Sequence, residues 1–254
     1  MTKKIITVTN QKGGVGKTTT AVNIAAQLVA SGKPVLIVDL DPQGNATSGL
    51  GLAKDTLELT AYDLLCRGVQ LADVVRGTRI DNLYILPANA NLAGAEVELV
   101  PIQDREYALR QALSAATYEY IVIDCPPSLG LLTVNALTAA QSVLVPVQAE
   151  YYALEGLGQL LSTIQRVRES LNTSLELLGV VVTMYDRRTG LSEQVLREIK
   201  NYFGDKLFKT VIPRNVRLAE APSFGQTIFE HDRWSKGART YKQLAKEVKR
   251  RADD

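Results

Sequence analysis

Within the first twenty residues, the stretch NQKGGVGKTT (Asn10–Thr19) gathers three glycines, two lysines and two threonines into ten positions. Gly13, Gly14 and Gly16 let the backbone curl and approach an anion closely. Successive N–H groups from Gly13 through Val15 to Thr18 can then aim at phosphate oxygens, helped by the N-terminus of a following helix. Lys17 reaches the β- and γ-phosphates of a nucleotide, and the Thr18 hydroxyl sits on Mg2+. The pattern G-x-x-x-x-G-K-[ST] would place glycine at position 11, where Gln11 stands, and a second lysine, Lys12, precedes the glycines. The chemistry is phosphate binding with a departure to explain.

Two acidic positions fit the same chemistry. Asp124 closes the apolar run YIVID and is followed by Cys125-Pro126-Pro127. A carboxylate there suits the hydration shell of a nucleotide's Mg2+. Asp39 and Asp41 follow a second apolar run, in VDLDPQGN. One carboxylate at that place can orient an attacking water, because phosphoryl transfer needs positioning more than covalent chemistry.

These side chains need a scaffold. Lys4–Thr9, Pro34–Asp39, Leu83–Leu86, Tyr120–Asp124, Val143–Val147 and Leu177–Thr183 read as strands, several almost continuously apolar, as parallel strands covered on both faces are. Lys17–Ala30, Ala108–Ala116, Ala153–Leu171 and Leu191–Phe203 have helical length and spacing. Gly32-Lys33-Pro34 stops the first helix. The glycine loop follows a strand and opens a helix, the context a phosphate loop requires. The expectation is one α/β domain over residues 1–254, a mostly parallel twisted sheet flanked by helices. With 254 residues and 46% apolar content, the chain can bury one large core.

No apolar run approaches the ~18–20 residues that span a bilayer, and the start MTKKIITVTN is unlike a secretory leader. Cys66 and Cys125 lie far apart with no second ligand nearby, which argues against a zinc site or disulfide and for a reducing cytoplasm. Charge is unevenly spread. Residues 1–184 hold 13 Lys+Arg against 17 Asp+Glu, and residues 185–254 hold 16 against 10. A basic C-terminal part implies an anionic partner.

KGGVGKTT, VDLDPQGNATSGLG, DCPPSLGLLT, VQAEYYALEGL and VIPRNVRLAEAPSFG, in that order, resemble the ParA family of partition ATPases. The short chromosomal members, often called Soj, are most similar, and the resemblance covers essentially the whole chain. It implies a P-loop NTPase fold with a deviant Walker A loop, ATP with Mg2+, and an ATP-bound sandwich homodimer. That dimer binds double-stranded DNA without sequence preference. A ParB-type centromere-binding protein stimulates hydrolysis that is weak alone, and releases the protein from DNA. The place of action is the nucleoid in the cytoplasm, with no membrane.

By the same resemblance, Lys12 is a signature residue that reaches across the dimer to the other subunit's ATP, so Gln11 belongs to a variant pattern. Gly13, Gly14, Val15, Gly16, Lys17, Thr18 and Thr19 match the phosphate loop, Asp41 the water-positioning acid, and Asp124 the Walker B aspartate. Pro213 and Asn215 match a segment near adenine, and Glu150–Gly156 falls near the dimer face. Arg188 and Arg217 match positions of DNA contact; Lys200, Lys236, Arg239 and Lys242 are further basic candidates. The first strand begins by residue 4, which leaves no room for the N-terminal helix-turn-helix of longer plasmid relatives.

The alternative reading is a MinD-type, membrane-cycling ATPase with the same loop, anchored through a C-terminal amphipathic helix. Tyr241, Leu244, Ala245 and Val248 make only a short stripe in that segment, and packing on the domain is the expectation.

Overall fold

A computed structural model describes residues 3–150 and 155–253. Among these described residues, seven strands form one sheet: β1 (Lys4–Val8), β2 (Val35–Asp39), β3 (Arg76–Gly77), β4 (Leu83–Leu86), β5 (Tyr120–Asp124), β6 (Ser142–Gln148) and β7 (Glu176–Thr183). Their order is β3-β4-β2-β5-β1-β6-β7. Every neighbouring pair is parallel except β3 with β4. Six strands fall within a residue of the apolar runs expected to form them. The antiparallel edge strand β3 was not expected, since two residues, Arg76 and Gly77, carry no periodic signal.

The continuous apolar runs have the expected cause. All five residues of β2 and of β5 are buried, because helices cover both faces of the sheet. Successive side chains feed opposite cores. Ile5, Leu36, Val38, Ile121 and Ile123 pack with α3 (Leu131–Ala139) and α4 (Glu155–Ser170) on one face. Ile6, Val8, Ile37 and Val122 pack with α1 (Lys17–Leu28) and α7 (Lys236–Asp253) on the other. Each fully buried Val, Leu or Ile adds about 1.5–3 kcal/mol over an exposed one.

Further helices that matter below are α2 (Asn45–Gly49), α5 (Gly190–Phe203) and α6 (Val216–Glu220). The first helix ends at Leu28, tightens into a 3-10 turn at Val29–Ser31 and stops at Gly32, whose φ of 75° is left-handed. The helix expected over Ala108–Ala116 is only Ala108–Ala112, anchored by buried Leu109 and Leu113. The start expected for α4 at Ala153 lies outside the described residues.

Tyr241, Leu244, Ala245 and Val248 are all buried, packing α7 against the domain. The Tyr241 hydroxyl meets the Thr20 hydroxyl of α1 at 3.1 Å. Among the described residues, no helix is long and apolar enough to cross a membrane.

Candidate active site

In an open parallel sheet the crevice for a ligand lies beyond the carboxyl ends of the strands, where the strand order reverses. Here that place is the end of β1, which pairs with β5 on one side and β6 on the other. The glycine loop leaves β1 there and turns into α1. Asn10 bolts the loop down: its Nδ2 donates to the Pro146 carbonyl at 2.7 Å and its Oδ1 accepts from Lys12 N–H at 3.0 Å. The Thr183 hydroxyl, at the end of β7, donates to the Val15 carbonyl at 2.8 Å.

Gly14 and Gly16 have φ of 73° and 87°, the left-handed region that other residues enter only with strain. A Cβ on Gly13, Gly14 or Gly16 would meet none of the described residues within 4 Å, so these residues leave the loop open to a ligand. No side chain caps α1, which leaves its first N–H groups facing that space. Lys17 is 6% exposed, and its Nζ donates to the Lys12 carbonyl at 3.1 Å. Burial lowers its pKa, while Asp124, Cys125 and Asp41 pull it back up.

Sheet register brings the acids together. Asp124 pairs with Val8 of β1 on one side and Asp39 of β2 on the other. Asp39, Asp41 and Asp124 are all buried. Asp39 is fully engaged: Oδ2 accepts from the Thr47 N–H at 2.8 Å and the Thr47 hydroxyl at 2.7 Å, and Oδ1 accepts from Asp41 N–H at 3.2 Å. Asp41 in turn accepts from Gln43 N–H at 2.9 Å. Asp39 therefore fixes the turn that carries Asp41, through the start of α2. Burial still pushes the Asp39 carboxyl up to about 6 against those hydrogen bonds, and Asp41 adds to the rise.

Asp124 is different. Neither of its buried oxygens has a hydrogen-bond partner among the described residues. Burial and then Asp39 push its pKa well up; the Thr18 hydroxyl opposes this, and Lys17 opposes it more weakly. A buried carboxylate with free lone pairs is costly unless a cation completes it. A single carboxylate, a threonine hydroxyl and nucleotide phosphates are the donor set Mg2+ takes, since that ion keeps several waters. The residues present thus fit the metal.

Lys12 points elsewhere. Its Nζ pairs with Glu150 Oε2 at 2.8 Å, both side chains being roughly half exposed. Gln11 Nε2 donates to the Gly156 carbonyl at 2.6 Å, so the residue replacing glycine ties the loop to the start of α4. Residues 151–154 of the Glu150–Gly156 segment lie outside the described residues.

Pro213 and Asn215 come together with the loop. They line a cavity of about 310 Å3 with Gly16, Thr19, Ile212 and Tyr241, apolar enough for a flat ring. The Asn215 side chain also accepts from Arg217 N–H at 2.9 Å, capping α6.

Arg188, Arg217, Lys200, Lys236, Arg239 and Lys242 are all exposed. Arg188 is held by Asp186 (2.7 Å), and Arg217 by Glu220 (2.9 Å) and Asp232 (3.7 Å). His231 is mostly buried, stacked on Phe224 and 3.5 Å from Glu220. Sequence reasoning missed Asn10, Thr47 and Thr183. Asn10 and Thr183 have one signal, a polar residue at a strand end, which turns share; Thr47, inside α2, has none.

A family model described as an AAA domain matches residues 3–177. The chain is 59% identical over 247 residues to the sporulation initiation inhibitor protein Soj of Bacillus subtilis, covering 96% of this chain and 98% of that one. It is 55% identical over 249 residues to the chromosome-partitioning ATPase Soj of Thermus thermophilus, covering 98% and 96%. Among solved structures, cobyrinic acid a,c-diamide synthase from Mycobacterium smegmatis with bound ADP and magnesium superposes with a TM-score of 0.88 at 39% identity, covering 100% of this chain and 96% of that chain. The septum site-determining protein MinD of Pyrococcus horikoshii, complexed with Mg-ADP, gives 0.78 at 26%, covering 97% and 96%. The partition relatives stand well above the MinD structure in identity.

Proposed function

The chain belongs to the Soj/ParA family of chromosome-partitioning ATPases, and on that premise we propose how its residues divide the work. One domain over residues 1–254 binds ATP, dimerises on it and holds double-stranded DNA. The N–H groups from Gly13 to Thr19 cradle the phosphates, and Lys17 stabilises charge on the β- and γ-oxygens. Thr18 and Asp124 hold Mg2+, which neutralises the developing phosphate charge when bound. The magnesium and ADP of the Mycobacterium smegmatis structure support that assignment. Pro213 and Asn215 flank adenine.

Asp41 orients the attacking water, with Asp39 and Thr47 as its positioning residues. Lys12 is half exposed at the rim and salt-bridged to Glu150, outside the cradle its own loop forms. That placement supports its acting on a second protomer's nucleotide, as a cation delivered in trans. ATP then sits in the dimer interface, so nucleotide state controls assembly. Dimerisation doubles the DNA-facing surface formed by Arg188, Arg217, Lys200, Lys236, Arg239 and Lys242, and the avidity makes DNA binding ATP-dependent. A ParB-type partner stimulates a weak intrinsic hydrolysis and releases the protein from the nucleoid.

The observation that carries the reading is Asp124: two unpartnered oxygens buried at the foot of an open glycine loop beside Lys17. The membrane alternative loses its anchor, because the apolar stripe of α7 is packed inside. The test is binding to random-sequence duplex DNA with Mg2+ and ATP, ADP or no nucleotide, with anionic liposomes in parallel. Salt-sensitive DNA binding only with ATP is expected; liposome binding without DNA binding would overturn the reading. Lys12→Ala is expected to lose ATP-dependent dimerisation in sedimentation.

A further inference from the structure

The turn after β7 carries two adjacent arginines with different fates. Arg188 is committed to Asp186 through two side-chain hydrogen bonds. Arg187 has no ion pair among the described residues and lines a groove of about 630 Å3 with Lys209, Lys236 and Lys246. None of those three lysines has an ion pair among the described residues either. One carboxylate, Glu247, lines the same groove, and it is already occupied: it accepts from Lys209 N–H at 3.0 Å and from the Thr210 hydroxyl at 2.7 Å.

The groove is built by firm elements. The segment carrying Lys209 runs beside β7, with Phe208 N–H donating to the Val180 carbonyl and Ile212 N–H to the Val182 carbonyl, both at 2.8 Å. Lys236 and Lys246 sit on the exposed face of α7, whose other face is locked into the core. Ten residues separate them, about 15 Å along a helix axis, the rise of roughly four base pairs.

Four cations with no ion pair among the described residues, around a groove built of firm elements, call for a polyanion. No aromatic ring among the described residues lines it, so these residues offer unstacked bases no platform. No apolar side chain of α7 is free to enter lipid. Resting on the DNA-binding reading above, we propose that this groove seats the phosphate backbone of duplex DNA. It is a contact track separate from Arg217, with Arg187, Lys209 and Lys246 as contributors beside Lys236. Arg187 rather than Arg188 is then the arginine of its turn that is ready to meet a phosphate without first breaking an internal ion pair.

The test compares full-length wild type, Lys209→Gln/Lys246→Gln, and a control of equal charge change at other exposed sites, Arg110→Gln/Arg168→Gln. Each is titrated with random-sequence duplex in Mg-ATP across a salt series, with phosphatidylglycerol vesicles alongside and melting temperature as the check on folding. The groove variant is expected to melt like wild type and to bind at least about tenfold more weakly. Its slope of log affinity against log salt should be shallower by about 2, since each phosphate contact contributes about 0.9. The control should keep the wild-type slope. The assignment is overturned if the groove variant keeps the wild-type slope, if the control loses as much, or if only vesicle binding falls. Absence of any DNA binding by wild type would instead overturn the DNA-binding reading itself, and the groove with it.

Discussion

The two charged regions of this molecule solve opposite problems. At the strand ends, Lys17, Asp39, Asp41 and Asp124 are nearly or fully buried; backbone groups hold the first three, and Asp124 has no hydrogen-bond partner among the described residues. Over the C-terminal part, Arg188 and Arg217 are exposed and already neutralised by their own neighbours Asp186, Glu220 and Asp232. Low dielectric makes each buried charge strong and each vacancy costly; water and salt make each exposed charge one small member of a sum. A reaction needs the first arrangement, and a sequence-indifferent grip on a polymer needs the second. Mutations should therefore act singly and severely in one region, and gradually in the other.

The largest effects belong to the buried side. Lys17→Ala is expected to lower ATP turnover by about 10²–10³-fold or more, measured by phosphate release, and to weaken nucleotide binding as well. Asp41→Ala should lose turnover by a similar factor while keeping ATP-dependent dimerisation and DNA binding, because it removes water positioning and leaves the phosphate cradle intact. Turnover retained in either variant would mean that the buried charges are no more indispensable than the surface ones, and the contrast would fail.

Stability should show the same region from its other side. Asp39 has its folded pKa raised to about 6 by burial, against about 3.9 when unfolded. The folded protein then binds more protons than the unfolded chain between those values. Stability from this group is full below about pH 4 and is lost as pH rises through about 6. Burial and Asp39 raise Asp124 as well, so it acts in the same direction. Asp124→Asn, which keeps shape and removes the unpartnered charge, is expected to stabilise the nucleotide-free protein at pH 8 by at least about 1 kcal/mol in denaturant melts. The gain should shrink as pH is lowered, and the variant should lose Mg2+-dependent turnover. A destabilised variant at pH 8 would show that Asp124 has a partner after all.

How far the sequence could be read follows the same division. Six of seven strands were legible because a parallel strand buried on both faces must be apolar throughout, as VLIVD and YIVID are. The loop was legible because glycine takes the left-handed backbone of positions 14 and 16 without strain, and the G-K-T that follows is the sequence mark of a phosphate loop. What stayed hidden was supplied by distant parts of the chain. Thr47 holds Asp39 from eight residues away, Thr183 pins Val15 across 168 residues, and Glu150 receives Lys12 from across 138. No local pattern marks such bonds. On the basic surface, charge counting marks the C-terminal part but cannot separate Arg188, which is paired with Asp186, from Arg187, which has no ion pair among the described residues.

The smallest expected effect is the sharpest probe of the surface rule. On the proposed DNA-binding reading Glu220 competes with DNA for Arg217; the hydrogen bond from Arg217, helped by His231, holds its carboxyl below the ordinary value. If Arg217 is one exposed member of a sum, Glu220→Gln should loosen it, leaving Asp232 as its acidic neighbour, and tighten DNA binding about two- to fivefold at moderate salt. The melting temperature should stay within about 2 °C, since exposed ion pairs contribute little to folding. Arg217→Gln should do the reverse and lower the salt slope by about 1. Should Glu220→Gln instead weaken binding, Glu220 would be orienting Arg217 as Asp39 orients Asp41, and the surface would share the logic of the buried site.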